Sequence, residues 1–310
     1  MTKAAFIFPG QGTQVPGMGR VLYENVRSVR KYFDEAKELL GYDLIQIMRE
    51  GPEELLNEGR YCQPALYVHQ FALAVLQKEM LAITSIELGL AFGLSLGELT
   101  ALAIAGVYDF ATGLQVAHRR GILMQEASEQ NPGGMLALLG ASLEEVRKVC
   151  EQTGAEMANF NTPSQIVLAG TVENIREAEK LAHSLSFSRV VPLKVAGASH
   201  CSLLKEARRK FRDYLGELRF KAPEFPVIQN VEAEQTMDPE KIKGNLEAQL
   251  TLPVLWCQSM QRAAALGFTD FYECGVGKTL RGMVRQIDPQ LRVFSVQEAD
   301  FVPKMAESTR

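Results

Sequence analysis

Ser95 is the residue of this chain whose surroundings best suit covalent chemistry. It lies in the run Gly93-Leu94-Ser95-Leu96-Gly97, which matches the G-x-S-x-G pattern of a nucleophile elbow. In such an elbow a sharp strand-to-helix turn strains the serine backbone, and the hydroxyl projects above the sheet. The flanking glycines keep Cβ atoms out of the turn, and the helix amino terminus favours a developing negative charge. The motif is short, so a structural glycine turn is the alternative interpretation.

A nucleophilic serine needs a base, and the chain has four histidines, His69, His118, His183 and His200. The first two fall within helical patterns and His183 lies on a polar helix, which favours packed or surface roles. His200 follows an Ala-Gly-Ala turn and is therefore expected on a loop, where catalytic residues are common. The chain order leaves room for an acid between serine and histidine, but no aspartate stands out for that role.

The elements that must position these residues follow an α/β pattern of short apolar runs that end in glycine and precede helical periodicity. The sequence predicts strands at 4–8 and 86–92, with helical segments near 19–40, 64–80 and 97–105.

The middle of the chain predicts a different unit. It reads as a strand at 134–139, a helix at 142–152, strands at 155–159 and 165–170, a helix from Thr171 and a strand at 189–195. Ser142 and Glu145 open the first of these helices as a capping box. The order β-α-β-β-α-β is that of a small ferredoxin-like (split βαβ) domain. We therefore expect a large α/β-hydrolase-like domain from 1–126 and 198–310, with residues 127–197 inserted as the small domain.

Composition excludes several classes of function. The 310 residues carry a net charge of −4, which gives no footprint for nucleic acid or for an anionic membrane surface. Only five apolar residues lie between Lys3 and Pro9, too few for a signal peptide, and the most apolar region, 83–107, is interrupted by Glu87 and Glu98. The five cysteines are scattered without metal-type spacing, which fits reduced thiols. These features predict a cytoplasmic protein without a metal site.

Eight segments, in order along the chain, resemble signature sequences of the malonyl-CoA:acyl-carrier-protein transacylase family. They are FPGQG at 8–12, CQPA at 62–65, GLSLGE at 93–98, RGILMQ at 120–125, NFNTPSQIVLAG at 159–170, ASH at 198–200, QLTLPVLW at 249–256 and ECGVGK at 273–278. The matches extend over nearly the whole chain, and together they are highly specific.

The resemblance implies a ping-pong reaction in which Ser95 takes an acyl group from malonyl-CoA and passes it to the phosphopantetheine thiol of an acyl carrier protein. It implies that His200 is the base, that the backbone carbonyl of Gln249 orients the imidazole, and that the N–H groups of Gln11 and Leu96 form the oxyanion hole. The CoA thioester is the substrate, and no tightly bound cofactor is expected.

Arg120 would hold the free carboxylate of the malonyl group, because a guanidinium binds a carboxylate through two parallel hydrogen bonds. Its alternative is a helix-surface arginine. The neighbouring Arg119 points about 100° away on a helix and fits that solvated role better. The resemblance also assigns Gln63 and Asn161 to the substrate pocket, although Gln63 is nearly as compatible with a plain core-edge position.

Lys278, Arg281 and Arg285 are spaced three and four residues apart. If the segment after the Gly-x-Gly turn is helical, all three project from one face. We expect this face either to dock an acidic carrier protein or to be merely a solvated basic surface. The protein itself is expected to be a monomer.

Leu94 stands where the family usually has histidine before the nucleophile. An apolar group there keeps open a second function, an acyl hydrolase that removes acyl groups from carrier proteins of a polyketide synthase. Arg120 favours the malonyl transferase, because a hydrolase of neutral chains has no use for a buried cation. A third, non-enzymatic reading is a carrier-protein docking module with a dead site, which the retained Ser95, His200 and Arg120 disfavour. The choice between fatty-acid and polyketide synthesis stays open.

Overall fold

The computed structural model describes residues 2–140, 142–185 and 187–302. Its strands are β1 (Thr2–Phe8), β2 (Ile86–Gly93), β3 (Gly133–Leu139), β4 (Glu156–Thr162), β5 (Gln165–Thr171), β6 (Arg189–Pro192), β7 (Val227–Ile228), β8 (Gln235–Thr236), β9 (Asp270–Cys274) and β10 (Arg292–Val296). Its α-helices are α1 (Arg20–Asn25), α2 (Arg27–Leu40), α3 (Leu44–Glu50), α4 (Glu53–Asn57), α5 (Gly59–Ala82), α6 (Gly97–Ile104), α7 (Phe110–Gln130), α8 (Leu143–Thr153), α9 (Val172–Ser184), α10 (Lys205–Gly216), α11 (Pro239–Ala248), α12 (Trp256–Ala265) and α13 (Thr279–Ile287).

Six strands form one sheet in the order β10-β9-β1-β2-β7-β8, parallel except for β8. Residues 4–8 of β1 are fully buried, because helices cover both faces of the sheet. The carboxyl ends of β1 and β2 meet at one edge, where Leu94 N–H donates to the Phe8 carbonyl over 2.9 Å. The loop after β1 and the serine turn after β2 are therefore neighbours.

The other four strands form an antiparallel sheet in the order β4-β5-β3-β6, with α8 and α9 packed against its apolar side chains. This is the strand order of a split βαβ unit, so the predicted ferredoxin-like arrangement is confirmed. The capping box between Ser142 and Glu145 is present. The smaller sheet contacts the segment between α11 and α12, where Phe160 N–H donates to the Val254 carbonyl over 2.9 Å. All four strands fall within 127–197, and the division into two domains at those bounds stays a prediction.

Four predictions about the extent of helices and strands were wrong. Strand β4 ends at Thr162 rather than at 159. The segment 19–40 is two helices, because Val26 has extended dihedral angles (φ −116°, ψ 90°) between α1 and α2. Helix α5 begins at Gly59 rather than near 64, and Pro64 lies inside it. Strand β6 ends at Pro192 rather than 195, and residues 193–197 instead line a cavity.

The cysteines are all free thiols. Within the ranges that the structure describes, no cluster of His, Cys, Asp or Glu side chains could hold a metal ion. Among the helices described, none combines the length and apolar character that crossing a bilayer requires.

Candidate active site

The turn between β2 and α6 has the strained geometry that the sequence predicts. Ser95 has φ 52°, a left-handed conformation that only a few non-glycine residues of the described chain adopt. A Cβ atom on Gly93 would collide with the backbone of Gly97, and one on Gly97 would collide with the Phe8 carbonyl. The expectation that both glycines are needed for close approach is therefore confirmed.

Ser95, His200 and Gln249 lie in a hydrogen-bonded row. Ser95 Oγ is 2.8 Å from His200 Nε2, and His200 Nδ1 is 2.7 Å from the carbonyl oxygen of Gln249. A carbonyl only accepts, so Nδ1 carries the proton and the Nε2 lone pair faces the serine hydroxyl. This arrangement leaves Nε2 ready to take a proton.

The environment keeps the imidazole neutral. His200 is 3% exposed, and burial, reinforced by the positive charge of Arg120, lowers its pKa to about 4, against the opposing effect of its bond to Gln249. The side chain is therefore an unprotonated base at neutral pH.

The other histidines lie elsewhere. His69 Nε2 pairs with Glu298 at 2.9 Å, His118 lies beside Tyr42, and His183 is on the exposed side of α9. The structure brings only His200 to the serine.

Arg120 is 1% exposed and lies beside the serine. Its Nη1 donates to Gln63 Oε1 over 2.9 Å, and its Nη2 donates to Ser95 Oγ over 3.0 Å and to Gln249 Oε1 over 2.9 Å. Burial lowers its pKa to about 10, so the guanidinium stays charged at neutral pH. Its Nε–H has no acceptor among the described residues. A buried cation with a free donor is suited to an anionic ligand.

A cavity of about 750 Å³ lies between the two sheets and reaches Ser95 and His200. Its walls include Gln11, Leu94 and Met283 from the larger sheet's side, and Met135, Asn161 and Val195 from the smaller one's. Asn161 donates to Gln165 over 3.1 Å, and its Oδ1 has no partner in the described part of the chain. Both predicted pocket residues, Gln63 and Asn161, therefore line this cavity.

The two residues assigned to the oxyanion hole follow the carboxyl ends of the neighbouring strands β1 and β2. Leu96 directly follows the serine and precedes α6, while Gln11 belongs to the loop after β1 and lines the cavity. Neither backbone N–H donates a hydrogen bond to another described residue. Both donors are thus free for an external acceptor.

The polar side chains beneath the turn were not predicted from the sequence. Asn230 Oδ1 accepts from the Ser95 N–H over 2.7 Å, and its Nδ2 donates to the Gly93 carbonyl over 2.6 Å. Glu98 is 2% exposed and accepts from the Asn230 N–H over 2.8 Å. Asn230 follows β7 on the edge where the serine turn lies, and that position after a parallel strand was the available signal.

Burial raises the pKa of Glu98 to about 7, against hydrogen bonds from Asn230, Gln229 and Gln249 and the charge of Arg120, which all lower it. A carboxylate that takes up a proton near neutral pH is thus built into the floor of the site.

Only part of the predicted docking face is helical. Helix α13 begins at Thr279, and Lys278 precedes it as the N-cap residue with φ −143°, so of the three basic residues only Arg281 and Arg285 lie within the helix, and docking at this face stays a prediction. Arg281 and Arg285 lie one turn apart and are exposed, and no ion pair to either is seen among the described residues. Met283 of the same helix lines the cavity, and because it is two residues from each arginine, about 200° around the helix, the basic pair faces away from the cavity wall.

Comparison with known proteins shows which family has this fold and site. The family model described as an acyl transferase domain matches residues 5–308. The malonyl CoA-acyl carrier protein transacylase of Salmonella typhimurium is 37% identical over 303 residues, which cover 96% of this chain and 97% of that protein. The protein of the same description from Bacillus subtilis is 36% identical over 97% of this chain and 96% of its own.

Solved structures agree. The crystal structure of an acyl carrier protein S-malonyltransferase from Vibrio cholerae superimposes with a TM-score of 0.90 at 37% identity, covering 96% of this chain and 97% of that one. A malonyl-transacylase in complex with a type II polyketide synthase acyl carrier protein gives a TM-score of 0.91 at 34% identity, with 95% and 96% covered. Fold and site together define an acyltransferase in whose site a serine and a histidine are hydrogen-bonded. The chain belongs to the acyl transferase domain family and, within it, to the malonyl CoA-acyl carrier protein transacylases.

Proposed function

We propose that this protein transfers a malonyl group from malonyl-CoA to the phosphopantetheine thiol of an acyl carrier protein, through a covalent intermediate on Ser95. The observation that carries the proposal is the position of the Ser95 hydroxyl. It lies 2.8 Å from the base nitrogen of His200 and 3.0 Å from the buried guanidinium of Arg120. A nucleophile, a base and a carboxylate-binding group thus converge on one atom.

In the first half-reaction Ser95 Oγ attacks the thioester carbon while its proton passes to His200 Nε2. The backbone N–H groups of Gln11 and Leu96 stabilise the oxyanion. The carbon–sulfur bond then breaks, the CoA sulfur takes the proton from Nε2, and the malonyl group remains on the serine. The Gln249 carbonyl holds the imidazole in the required tautomer throughout.

In the second half-reaction the carrier thiol gives its proton to His200 Nε2 and its sulfur attacks the acyl carbon. The ester bond to Ser95 breaks, and the proton returns to Oγ. Base and nucleophile are thereby restored without any other reactant.

Arg120 selects acyl groups that carry a carboxylate. Among the described residues, Gln63, Ser95 and Gln249 engage three of the five guanidinium N–H donors, which leaves two, including Nε–H, for the malonyl carboxylate. Gln63 and Gln249 hold the planar group in place, so little side-chain entropy is lost on binding. Asn161 faces the same cavity and is suited to the amides of the pantetheine arm.

The carrier protein is proposed to dock beside α13. Arg281 and Arg285 present positive charge on the exposed face of α13, the helix whose other side lines the cavity, on a chain whose net charge is −4. Opposite charges of this kind mainly accelerate encounter. A monomeric state and a cytoplasmic location remain predictions.

The acyl hydrolase remains the second candidate, and Leu94 is the observation that favours it. Leu94 lines the cavity next to the serine with an apolar side chain. It supplies no polar group that would position a water, however, and the buried Arg120 has no role with a neutral acyl chain.

A two-step experiment separates the candidates. The protein is incubated with malonyl-CoA or acetyl-CoA, freed of small molecules, and then given a holo carrier protein. The transferase predicts a malonyl adduct that is stable alone and moves to the carrier thiol. A hydrolase predicts an adduct lost to water at the same rate with or without carrier, and that result would overturn the proposal.

A further inference from the structure

Glu98 is the one acidic side chain buried beneath the serine turn, among the residues that the structure describes, and the mechanism above does not use it. It is 2% exposed and lies in the first turn of α6. Its carboxylate accepts three hydrogen bonds, from the Asn230 N–H (2.8 Å), Gln249 Nε2 (3.1 Å) and Gln229 Nε2 (3.2 Å). An ionised carboxylate accepts all three, because it has no donor of its own.

Two of these partners are themselves hydrogen-bonded to the proposed nucleophile, Ser95, and to the proposed base, His200. Asn230 holds the Ser95 N–H and the Gly93 carbonyl, so it fixes the turn that presents the hydroxyl. Gln249 supplies the backbone carbonyl that orients His200, and its side-chain Nε2 lies 3.2 Å from the Ser95 carbonyl. One carboxylate is therefore in contact with the supports of both nucleophile and base.

The Gln249 amide also connects Glu98 to Arg120. Its Oε1 accepts from Arg120 Nη2 over 2.9 Å, while its Nε2 donates to Glu98 over 3.1 Å. The amide oxygen faces the cation and the amide nitrogen faces the anion. The two buried charges thereby fix which way the amide points, since a flipped amide would place N–H against guanidinium and oxygen against carboxylate.

We infer that ionised Glu98 is a positioning residue, which holds Asn230 and Gln249, and through them Ser95, His200 and Arg120, in the reactive arrangement. A neutral carboxyl group would lose one acceptor position and bring a donor into a cluster of donors. One of the three partners would then turn away, and the support of the serine turn or of the imidazole would loosen. The inference rests on the proposed function.

Few charged or titratable groups act on Glu98. Arg120 comes from α7, and the buried Tyr108, just before α7, feels the charge of Glu98. The contacts from the segment after β7 and from the end of α11 are the neutral side chains of Gln229 and Gln249. Burial dominates and places the pKa of Glu98 at about 7, well above that of His200 at about 4. The two groups therefore titrate in separate ranges of pH.

The test is the pH dependence of serine acylation, measured by rapid quench and mass spectrometry with saturating malonyl-CoA between pH 5 and 9. Wild type is expected to lose rate as the pH falls through about 7. The Glu98→Gln variant is expected to be about 10- to 100-fold slower above pH 8, the usual cost of displacing a reacting group by about an ångström. It should show no change of rate near pH 7, so that the two rates converge in acid.

Glu298→Gln is the matched control, because Glu298 also accepts three N–H hydrogen bonds, from Gly19, Leu22 and His69, none of which lines the cavity. It should keep the wild-type rate and the fall near pH 7. The wild-type profile needs no variant, so the test survives if Glu98→Gln fails to fold. A wild-type rate that is flat from pH 8 to pH 5, or a Glu98→Gln rate that stays a constant fraction of wild type, would overturn the inference. Failure of the proposed function looks different, since no malonyl adduct would form on wild type at any pH.

Discussion

Arg120 Nη2 donates a 3.0 Å hydrogen bond to Ser95 Oγ, the same oxygen that lies 2.8 Å from the base nitrogen of His200. The cation that is proposed to bind the substrate's carboxylate thus also contacts the nucleophile. A carboxylate drawn to the guanidinium is delivered next to the attacking oxygen, which links selection of the acyl group to its position for attack.

Replacement of the cation tests this selection. Arg120→Ala should reduce acylation by malonyl-CoA far more than by acetyl-CoA, because only malonate carries the group that the guanidinium binds. The difference should be roughly 2–5 kcal/mol of transition-state stabilisation, the usual cost of breaking a buried charged pair. The measurement is kcat/KM for both substrates, and the neighbouring Arg119→Ala serves as control. Equal losses with the two substrates would make Arg120 a structural residue.

His200→Ala should slow acylation by about 10²- to 10⁴-fold, the contribution of a well-placed base. Single-turnover rates with malonyl-CoA measure the effect. His69→Ala removes another buried histidine, one paired with Glu298 instead of the serine, and should leave the rate near that of wild type. A near-normal rate in His200→Ala would remove this residue from the mechanism.

Protonation of Glu98 should stabilise the folded protein but slow the acylation of Ser95. Its pKa in the folded protein, about 7, exceeds the ordinary value of 4.5, so the folded state holds a proton that the unfolded chain releases between those values. The resulting stabilisation is complete below pH 4.5 and is lost as the pH rises through 7. The unfolding free energy of wild type minus that of Glu98→Gln should therefore decrease from pH 5 to pH 8, by at most about 1.4 kcal/mol per pH unit.

Urea denaturation of both proteins at several pH values measures this difference. Glu145, whose pKa is lowered by its hydrogen bonds to Ser142, supplies the opposite case. The corresponding difference for Glu145→Gln should not decrease over the same range, because this carboxyl group is already ionised in the folded protein there. A level difference for Glu98→Gln would mean that its carboxyl group does not titrate near neutral pH.

Carrier docking can be tested by reversing the two exposed charges on α13. Arg281→Glu with Arg285→Glu should slow transfer to the carrier protein at low ionic strength and lose that effect at high salt. Acylation by malonyl-CoA should be nearly unchanged. The matched control is Arg176→Glu with Lys180→Glu, an exposed pair with the same spacing on α9. If both double variants transfer equally well, α13 is not the docking surface.

Much of this architecture can be predicted from the sequence, because the patterns involved are local. The strand before the serine, the glycines around it and the Ser142 capping box each depend on neighbouring residues, and all were predicted correctly. The break at Val26 and the start of α13 after Lys278 depend on how the chain packs, and they were missed.

The side-chain contacts beneath the site were missed for a different reason, although Gln249 itself was assigned to the site. Glu98, Asn230 and Gln249 are far apart in the chain and become partners only when β2, β7 and the end of α11 meet. No spacing rule within one segment reveals that contact. Glu98 was visible in the GLSLGE run, but its burial and its three donors were not.

Mass spectrometry of wild type and Ser95→Ala, each mixed with malonyl-CoA, tests whether the Ser95 hydroxyl carries the acyl group. Wild type is expected to show one malonyl adduct, located by peptide mapping to the segment 93–97. Ser95→Ala is expected to show no adduct and a thermal unfolding midpoint close to that of wild type. A malonyl adduct on the alanine variant, or a wild-type adduct at another residue, would show that Ser95 is not the nucleophile.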